Sequence, residues 1–512
     1  MSKHLFSDIR IPIEPDNPSI RRIEDKCIKC GQCRQVCEEV IAVGKLYDLH
    51  ATKDTAICIH CGQCANICPV DSITEVPSYH HVRQAIEDPN KIVIISTSPS
   101  VRVALGEAFG LAPGALVEGQ MIAALRALGA DYVLDTNFGA DLTVMEEASE
   151  LCERLLQKNR PLPQFTSCCP AWVKFVETFY PELMPHLSTA KSPIGMQGPT
   201  IKTYFAQQHQ LDPKRIVNVA LTPCTAKKYE ITRPEMNASA GYHADSDLRD
   251  MDYVITTREL AQWLQEAQIN FHKMPSAASY DTFMGQASGA GAIFGNTGGV
   301  MEAAIRTAYY LLTQQNPPQN LLQLTPVRGM EGIRHATLQL DEYTLHVAVV
   351  HGTENARQLI EKLKTGEVHY DFVEVMTCRG GCIGGGGQPK TAIPMQDDIL
   401  KARIEALYQK DERSVIRYSY CNPEIMMAYQ NFYQHPQSSL AKKLLHTTYT
   451  NRQAILGDGK LHLTRPAPLK STTAPSYQCN VCGYITASSE PPMADYVCPL
   501  CAADHTHFHL IN

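Results

Sequence analysis

The sequence predicts a multidomain protein in which a large α/β domain is joined at each end to a small cysteine-rich domain. Its 512 residues are too many for one ordinary hydrophobic core. Between residues 88 and 450, strand-like apolar runs alternate with helix-like stretches, a pattern typical of α/β domains with largely parallel sheets. The 19 cysteines are concentrated at the two ends, with eight in residues 27–68 and four in residues 479–501.

The order of these segments predicts five regions. A Thr/Pro/Ala/Ser-rich stretch that ends at Ala474-Pro475 indicates a linker. We expect an N-terminal tail, a small α+β domain, the α/β domain, the linker and a knuckle domain, over residues 1–20, 21–80, 81–450, 451–474 and 475–512. Strands are predicted over 92–96, 132–136, 216–221, 253–256, 345–350 and 372–376. Helices are predicted over 102–109, 118–129, 142–157 and 300–313.

Composition excludes several classes of function. A formal net charge of −7 and the lack of a basic tract argue against nucleic acid as the main partner. No apolar run approaches the roughly 18 residues that a membrane helix needs, so no membrane span is expected. The first 20 residues show no signal-peptide core, which indicates a cytoplasmic protein. In that reducing compartment, cysteines indicate metal binding or catalysis before disulfides.

The N-terminal cysteines form two copies of one motif. Cys27-x-x-Cys30-x-x-Cys33-x-x-x-Cys37 recurs as Cys58-x-x-Cys61-x-x-Cys64-x-x-x-Cys68-Pro69, with Gly-Gln after the second cysteine of each copy. In two-cluster ferredoxins, the fourth cysteine of each run binds the other 4Fe–4S cluster. One cluster is therefore assigned to Cys27, Cys30, Cys33 and Cys68, and the second to Cys58, Cys61, Cys64 and Cys37. This segment resembles bacterial ferredoxins.

The C-terminal cysteines form two C-x-x-C knuckles. Cys479, Cys482, Cys498 and Cys501 can make a four-thiolate site, which suits one iron or one zinc ion, and spacing alone does not choose between them. The flanking Tyr477, Gly483-Tyr484 and Phe508 resemble rubredoxin, and the short gap between the knuckles resembles the tail of rubrerythrins. The resemblance implies a mononuclear iron in a rubredoxin-like domain, with structural zinc as the alternative.

Three segments of the α/β domain contain its most unusual motifs. They are TSCCPAW at 166–172, TPCTAKKYE at 222–230 and EVMTCRGGCIGGGGQP at 374–389. The last two follow predicted strands, and ligands in α/β sheets bind at the carboxyl ends of strands. The glycine run allows the backbone to approach a bulky group closely. From the residues alone, four scattered cysteines predict one more cubane and do not reveal a catalytic metal.

These segments resemble the three signature motifs of the iron-only (FeFe) hydrogenases. Residues 98–102, 294–302 and 444–447 also resemble that family, in the family's order. The resemblance implies a large α/β domain with the active cluster between two lobes. It further implies reversible hydrogen oxidation and proton reduction at a six-iron H-cluster, a cubane joined to a two-iron unit with CO, CN and azadithiolate. H2, protons and a ferredoxin or similar electron carrier would be the partners.

The same resemblance assigns roles to single residues. Cys169, Cys224, Cys378 and Cys382 would hold the cubane, and Cys382 would bridge to the two-iron unit. Lys227 would hydrogen-bond one cyanide, and the backbone at Pro99 and Ser100 would meet the other. Met376 and Phe294 would pack beside the open coordination position. Cys168 would relay protons, because a thiol both donates and accepts them, and the path would continue through Glu147, Ser188 and Glu150.

Other residues have plainer explanations. Without the resemblance, Glu147 and Glu150 would be a solvated helix face, since residues i and i+3 share one side. Cys152 and Cys421 are predicted to be structural, His446 a hydrogen-bonded structural histidine, and His60 an exposed loop residue. Thr222 departs from the family, which commonly has methionine there, and Ile194 fills a place that is often polar in relatives.

Two other functions remain in competition with the enzyme. A hydrogen sensor would use the same cluster at low turnover, but no kinase-like or PAS-like segment is visible. An iron–sulfur assembly scaffold would lack the relay and cyanide-binding residues, which this chain keeps. The rubredoxin-like tail predicts a second electron exit, toward an oxygen- or peroxide-reducing partner.

Overall fold

The computed structural model describes residues 10–390, 397–457 and 461, together with 476–479, 485–487, 493, 496 and 504–511. Three knuckle cysteines, Cys482, Cys498 and Cys501, and the side chain of Cys479 lie outside the described residues. The predicted C-terminal metal site therefore lies outside them as well. The predicted domain boundaries remain predictions.

The N-terminal domain is built on a small antiparallel sheet. Strands β1 (Ile20–Arg22) and β2 (Ile73–Glu75) pair with Ile20 opposite Glu75. Helices α1 (Gln32–Gln35) and α2 (Gln63–Ile67) each begin directly after a glycine, and both glycines have a positive φ. Glycine is the residue that adopts this left-handed turn without strain, which explains the repeated Cys-Gly-Gln sequence.

The α/β domain contains two four-stranded sheets. Its strands in chain order are β3 (Ile92–Thr97), β4 (Tyr132–Asp135), β5 (Gln164–Phe165), β6 (Ile216–Thr222), β7 (Tyr253–Thr256), β8 (Ile333–Leu340), β9 (Tyr343–His351) and β10 (Phe372–Met376). The first sheet has the order β4-β3-β6-β7 and is parallel throughout. The second has the order β5-β10-β9-β8, and only the β8–β9 pair is antiparallel. A short sheet of β11 (Ser476–Cys479), β12 (Ile485–Ala487) and β13 (Phe508–Ile511) lies near the C terminus.

Helices surround and separate the two sheets. Their bounds are α3 (Tyr79–Glu87), α4 (Glu118–Ala127), α5 (Thr136–Gln157), α6 (Pro170–Phe179), α7 (Pro193–Thr200), α8 (Ala206–Gln208), α9 (Ala226–Glu230), α10 (Ala238–His243), α11 (Thr257–Glu266), α12 (Gly289–Ile293), α13 (Gly299–Thr313), α14 (Gln319–Leu322), α15 (Thr353–Lys364), α16 (Asp397–Arg413), α17 (Pro423–Ala428) and α18 (Ser439–Leu445). None of the helices that the structure describes has the length and apolar character needed to cross a bilayer.

Helix α5 is the central helix of the domain. The Asp135 side chain caps it by accepting a hydrogen bond from the Asn137 backbone N–H at 2.9 Å. Leu142, Val144 and Leu151 belong to three different apolar clusters, so the helix is buried on several sides. The acidic side chains on this helix are therefore held inside the protein rather than in solvent.

The six predicted strands are confirmed, as are the helices predicted over 118–129 and 300–313. The helix predicted over 142–157 begins earlier, at Thr136, because Asp135 caps it there. The helix predicted over 102–109 is wrong in type: residues Leu105–Phe109 form a 3-10 helix that ends at Gly110, which has a positive φ. Strand β8 was not predicted.

A buried ion-pair network joins α13 to α16 and yields a stability prediction. Asp411 accepts from Arg306 at 2.8 Å and from Arg417 at 2.6 Å, and both Asp411 and Arg306 are fully buried. Asp411→Ala removes the carboxylate that Arg306 and Arg417 share and leaves Glu302 as the buried carboxylate partner of Arg306. We therefore expect a loss of about 3 kcal/mol in the free energy of unfolding, measured by chemical denaturation. Asp398→Ala on the same helix removes only an exposed pair with Lys401, and should change stability by about 0.5 kcal/mol or less. Equal effects of the two variants would contradict the prediction.

Candidate active site

The carboxyl ends of parallel strands from both sheets carry the predicted site residues. Cys168 and Cys169 follow β5, while Cys378 and Cys382 follow β10 in the same sheet. In the other sheet, Pro99 and Ser100 follow β3, and Cys224 and Lys227 follow β6. Chains that leave parallel strands at the same edge lie side by side, which is why α/β sheets place their ligand sites there.

Backbone contacts bring the two sheets' loops together. The Gly387 backbone N–H, in the loop after β10, donates to the Pro223 carbonyl at 2.8 Å. The side-chain amide of Gln388 donates to the Ser100 backbone carbonyl at 2.9 Å. The Thr297 N–H donates to the Gly380 carbonyl at 2.9 Å. The loop after β10 therefore touches the loops that follow β3 and β6 in the other sheet, and also the segment before α13. Residues distant in sequence thus surround one interior site.

The four predicted cubane cysteines are all found in this interior. Burial, and next the charge of Cys169, raise the pKa of the Cys224 thiol to about 12. Burial, and next Cys224, raise the pKa of Cys378 well above its ordinary value. The Cys169 thiol lies 3.4 Å from the Thr377 hydroxyl, beside Cys378. Burial and neighbouring thiols disfavour the ionisation of Cys224, Cys378 and Cys382, so a cationic group is needed to hold these three side chains as thiolates.

The donor set fits a cubane better than a single ion. Within the described part of the chain, no three His, Cys, Asp or Glu side chains converge where one metal ion could bind. A cubane needs its thiolates further apart, because each iron takes one cysteine. The buried Ser100 hydroxyl finds no hydrogen-bond partner among the described residues, which suits a loop that faces an absent polar group.

An apolar cluster surrounds Cys168. Phe294 and Met376 pack in it with Cys168, and Cys169 and Cys382 border it. All three central side chains are nearly inaccessible to solvent. The structure thus brings together the proposed relay cysteine, the two proposed packing residues and two of the proposed cluster ligands in a water-excluding site.

Lys227 is directed into the same region by helix α9. Its ammonium group donates to the Cys168 carbonyl at 3.1 Å and to the Glu230 carboxylate at 2.8 Å. The side chain is buried, so its charge is compensated by Glu230 on the next turn. These contacts hold a cation beside Cys168.

Glu147 and Glu150 lie on the buried face of α5 but differ in environment. Neither carboxyl oxygen of Glu147 has a hydrogen-bond partner among the described residues. Burial, and next the charge of Glu150, raise its pKa to about 8. Glu150 accepts from Arg154 at 2.5 Å and from Arg160 at 2.7 Å. Despite desolvation, the Arg154 guanidinium and the hydrogen bonds from Thr189 lower its pKa.

Ser188 connects this pair toward the surface. Its hydroxyl donates to the Glu150 carboxylate at 3.3 Å, and the Thr189 N–H donates to the same oxygen at 2.8 Å. Arg160, which also binds Glu150, is partly exposed. Of the predicted path, Ser188 and Glu150 are in direct contact. Burial raises the pKa of Glu147 and the Ser188 side chain lowers it in part, so Ser188 is close to both carboxyl groups.

The eight N-terminal cysteines divide into the two predicted sets. Cys27, Cys30, Cys33 and Cys68 line a cleft that opens to solvent. Burial, and next its neighbours Cys64, Cys37 and Cys58, raise the pKa of the Cys61 thiol. The Ile73 and His60 N–H groups donate to the Cys68 and Cys58 sulfurs at 3.4 and 3.2 Å, as anionic thiolates require.

The second cysteine loop contacts the active-site loop directly. The Gln63 amide donates to the Cys378 sulfur at 3.2 Å and to the Gly384 carbonyl at 2.9 Å. The Asn66 amide donates to the Gly385 carbonyl at 3.3 Å. Gln63 was not assigned a role from the sequence, although the repeated Gly-Gln after the second cysteine was a signal that could have found it.

Four secondary predictions can be compared with the structure. His446 is confirmed as a hydrogen-bonded residue, with Glu146 at 2.9 Å and Thr189 at 2.8 Å. Cys152 is buried in an apolar cluster, as a structural cysteine should be. The prediction that Cys421 is a structural core cysteine is wrong, because Cys421 is exposed and has no core to pack in. The prediction for His60 is wrong: it is buried, because the cysteine loop docks on the α/β domain.

Comparison with known proteins gives four family matches in chain order. The model for the 4Fe-4S dicluster domain matches residues 19–69. The models for the iron only hydrogenase large subunit, C-terminal domain, and for the iron hydrogenase small subunit match residues 91–386 and 397–452. The model for the rubrerythrin, rubredoxin-like domain, matches residues 477–509.

Several individual relatives cover most of the chain. The NADP-reducing hydrogenase subunit HndD of Solidesulfovibrio fructosivorans is 42% identical over 85% of this chain and 75% of that protein. Iron hydrogenase 1 of Clostridium pasteurianum is 41% identical over 83% and 74%. The periplasmic Fe hydrogenase large subunit of Nitratidesulfovibrio vulgaris is 45% identical over 73% and 88%. The solved apo FeFe-hydrogenase HydA1 of Chlamydomonas reinhardtii aligns with a TM-score of 0.64, at 42% identity, over 72% of this chain and 99% of that one.

Assembly proteins match less well. Cytosolic iron-sulfur assembly component 3 of Bos taurus is 32% identical over 72% of this chain and 76% of that protein. The hydrogenase relatives named above are 41–45% identical. The sequence therefore lies closer to those hydrogenases than to the assembly component.

The environment of Glu147 predicts a pH-dependent stability. Its carboxyl ionises near pH 4.5 in the unfolded chain and near pH 8 in the folded protein. The folded state binds the extra proton between these values, so the wild-type protein loses stability as pH rises through the window. Glu147→Gln stays neutral, so its stability relative to wild type should rise by on the order of 4 kcal/mol from pH 4.5 to 8. Denaturant unfolding at a series of pH values measures this difference.

Glu150→Gln is the matched control on the same helix. The pKa of Glu150 is lowered, so its stabilising effect is present above its unfolded pKa and is lost as pH falls through the folded value. Glu150→Gln should therefore be less stable than wild type at neutral pH. A pH-independent difference between Glu147→Gln and wild type would contradict the first prediction.

Proposed function

This chain belongs to the iron-only hydrogenase family, and we propose that it catalyses the reversible reaction H2 ⇌ 2 H⁺ + 2 e⁻ with the residues described above. It is an FeFe hydrogenase, an oxidoreductase acting on hydrogen. Its cofactors are an H-cluster, two 4Fe–4S clusters and a rubredoxin-type iron. H2 and protons are its substrates.

One observation carries the assignment of residues. Cys169, Cys224, Cys378 and Cys382 meet at the carboxyl ends of strands from two sheets, with Cys168 and Lys227 beside them. These four cysteines would hold the cubane, and Cys382, which borders the apolar cluster of Cys168, would face the two-iron unit. When bound, the H-cluster supplies a metal that polarises H2 for heterolytic cleavage.

The protein supplies electrostatics and shape around that group. Lys227 would hydrogen-bond one cyanide, because its ammonium is a compact cationic donor fixed by Glu230. The buried loop of Pro99 and Ser100 would meet the other cyanide, and the Ser100 hydroxyl has no partner among the described residues. Phe294 and Met376 would exclude water beside the open coordination position.

Proton movement is assigned to four residues. Cys168 would receive and return the proton, because a thiol is both donor and acceptor. Glu147 is poised as a protonated acid at neutral pH and Glu150 as an ionised base. Two neighbouring carboxyl groups with separated pKa values suit directional proton transfer. Ser188 donates to Glu150 and would complete the path to the surface near Arg160.

The two N-terminal cysteine sets suit electron transfer in series. The first set lines a solvent-open cleft, and the second belongs to a loop whose Gln63 touches the sulfur of Cys378. Cys33, Cys64 and Cys68 pack in one small core, so the two sets are adjacent. We propose that a ferredoxin or similar carrier exchanges electrons at the open cleft.

We propose that the rubredoxin-like domain is a second electron exit. Rubredoxin irons generally have higher potentials than ferredoxin cubanes, so electrons from H2 would run downhill to this site. An oxygen- or peroxide-reducing partner would accept them. A reducing cytoplasm is the proposed location, because cysteines that hold iron–sulfur clusters must be kept out of disulfides, and the fifteen cysteines in the described part of the chain form none.

A low-turnover hydrogen sensor would use the same cluster. The rate of H2 turnover distinguishes the sensor from the enzyme. Fast H2 oxidation or evolution with artificial dyes supports the enzyme. Slow turnover together with redox-dependent binding of a partner would favour the sensor.

Substitution of Cys168 tests the proton relay. In enzyme matured with its two-iron cofactor, Cys168→Ala should retain its iron content but lose most H2 turnover, by a factor of about 10² or more. Dye-linked H2 oxidation and evolution measure the rate. Cys421→Ala, at an exposed cysteine, is the control and should behave as wild type. Unchanged turnover in Cys168→Ala would refute the relay assignment.

Removal of the tail tests the second exit. A chain that ends before residue 475 should lose H2-dependent reduction of an oxygen- or peroxide-reducing partner but keep dye-linked H2 oxidation at the wild-type rate. Partner reduction that is equally fast without the tail would refute this role.

A further inference from the structure

His60 attaches the second cysteine loop to the α/β domain through several contacts. Its carbonyl accepts from the Thr225 hydroxyl at 2.8 Å, and Thr225 is the neighbour of Cys224. Its ring stacks on Tyr229 of α9 with centroids 4.4 Å apart. The His60 backbone N–H donates to the Cys58 sulfur at 3.2 Å. One residue thus touches a proposed ligand of the second cubane and two residues of the active-site motif at 222–230.

Lys174 of α6 contacts the same histidine from the other side. Its ammonium nitrogen lies 2.7 Å from His60 Nε2. A lysine ammonium only donates, so Nε2 must be the acceptor and the imidazole proton must be on Nδ1. Nδ1 lies 3.2 Å from the Asn17 amide oxygen, which suits this tautomer. A chain of hydrogen bonds therefore runs from Lys174 through His60 to Asn17.

The charge of Lys174 has no carboxylate partner in an ion pair among the described residues. Glu177, on the same helix, is paired with Arg233 at 2.7 Å and with Arg452 at 2.8 Å. The Lys174 ammonium instead lies 4.3 Å from the centre of the Tyr229 ring. A half-buried cation is stabilised by a counter-charge, and the thiolates of the second cysteine set are the anionic groups that His60 links to it.

We propose that Lys174, acting through His60, raises the reduction potential of the cubane held by Cys37, Cys58, Cys61 and Cys64, and so sets how readily that cubane accepts an electron from the active site. Reduction adds one electron and one negative charge to the cubane, with no bond made or broken. A nearby cation stabilises that extra charge, and the low dielectric of the interior strengthens the effect. Lys174 is a positioning residue, since it acts through His60.

The position of Lys174 makes it specific to this cubane. Helix α6 begins at Pro170, directly after Cys169, so Lys174 is fixed relative to the active-site cysteines. The first cysteine set lies in a separate, solvent-open cleft whose lining does not include Lys174. The inference rests on the proposed function only in that Cys37, Cys58, Cys61 and Cys64 hold a cubane.

Redox titration of the purified holoenzyme, followed by electron paramagnetic resonance, tests the proposal. Lys174→Met keeps the length of the side chain and removes its charge. We expect at least a tenfold lower affinity of the second cubane for an electron, which equals a midpoint about 59 mV more negative. The first cubane is the internal reference and should not shift. Lys174→Arg should restore the wild-type midpoint, because it restores the cation.

Lys364→Met is the matched control. Lys364 also lies over a tyrosine ring, 4.8 Å from the centre of Tyr180, and its substitution should leave both midpoints unchanged. Lys174→Gln removes the charge but keeps a donor to His60, so it should shift the midpoint as Lys174→Met does.

An unchanged second midpoint in the neutral Lys174 variants, or an equal shift of both cubanes, would overturn the proposal. Loss of the second cubane from both neutral variants would also overturn it, in favour of a purely structural role. The titration measures the reduction potential of the cubane and does not depend on hydrogen turnover. A wild-type protein without hydrogenase activity would therefore refute the proposed function while leaving this result interpretable.

Discussion

The active site depends on the close backbone contact made by the glycine run after β10. A Cβ atom at Gly385 would lie 2.4 Å from the Pro223 carbonyl oxygen, and one at Gly386 would lie 2.3 Å from the Cys61 carbonyl oxygen. Both distances are far inside van der Waals contact, so no side chain fits at either position. The absence of side chains lets the loop of one sheet meet a loop of the other sheet and the second cysteine loop at the same time.

The same close packing affects which ionisable side chains in the interior carry a charge. With water excluded by Phe294, Met376 and their neighbours, an ionisable group in the interior keeps its charge only where a partner compensates it. Glu230 compensates Lys227, and Arg154 compensates Glu150. Glu147 has no such partner among the described residues and is therefore held protonated near neutral pH. Two glutamates on one helix thus differ in protonation because a guanidinium group forms an ion pair with Glu150 and none does so with Glu147 among the described residues.

Local motifs allowed much of this to be predicted from the sequence. The spacing of the N-terminal cysteines predicted which ones share a set, and the apolar runs of β6 and β10 predicted the strands that precede two of the three cysteine motifs. The two-residue strand β5, before Cys168, was too short to be recognised in this way. Contacts between distant segments were not predictable. Gln63 meets Cys378 across 315 positions of sequence, and His60 is buried by residues of α6 and α9, because the docking of one domain on another has no local signal. The resemblance to a family, rather than spacing, identified the four scattered cysteines as one ligand set.

The central claim is that these four cysteines hold an H-cluster next to Cys168 in a chain that reacts with hydrogen. Infrared spectroscopy of the matured protein tests it most directly, because metal-bound carbonyl and cyanide absorb where proteins do not. The account predicts carbonyl and cyanide bands that change position when argon is replaced by H2. A matured, iron-loaded protein without these bands, or with bands that do not respond to H2, would contradict it.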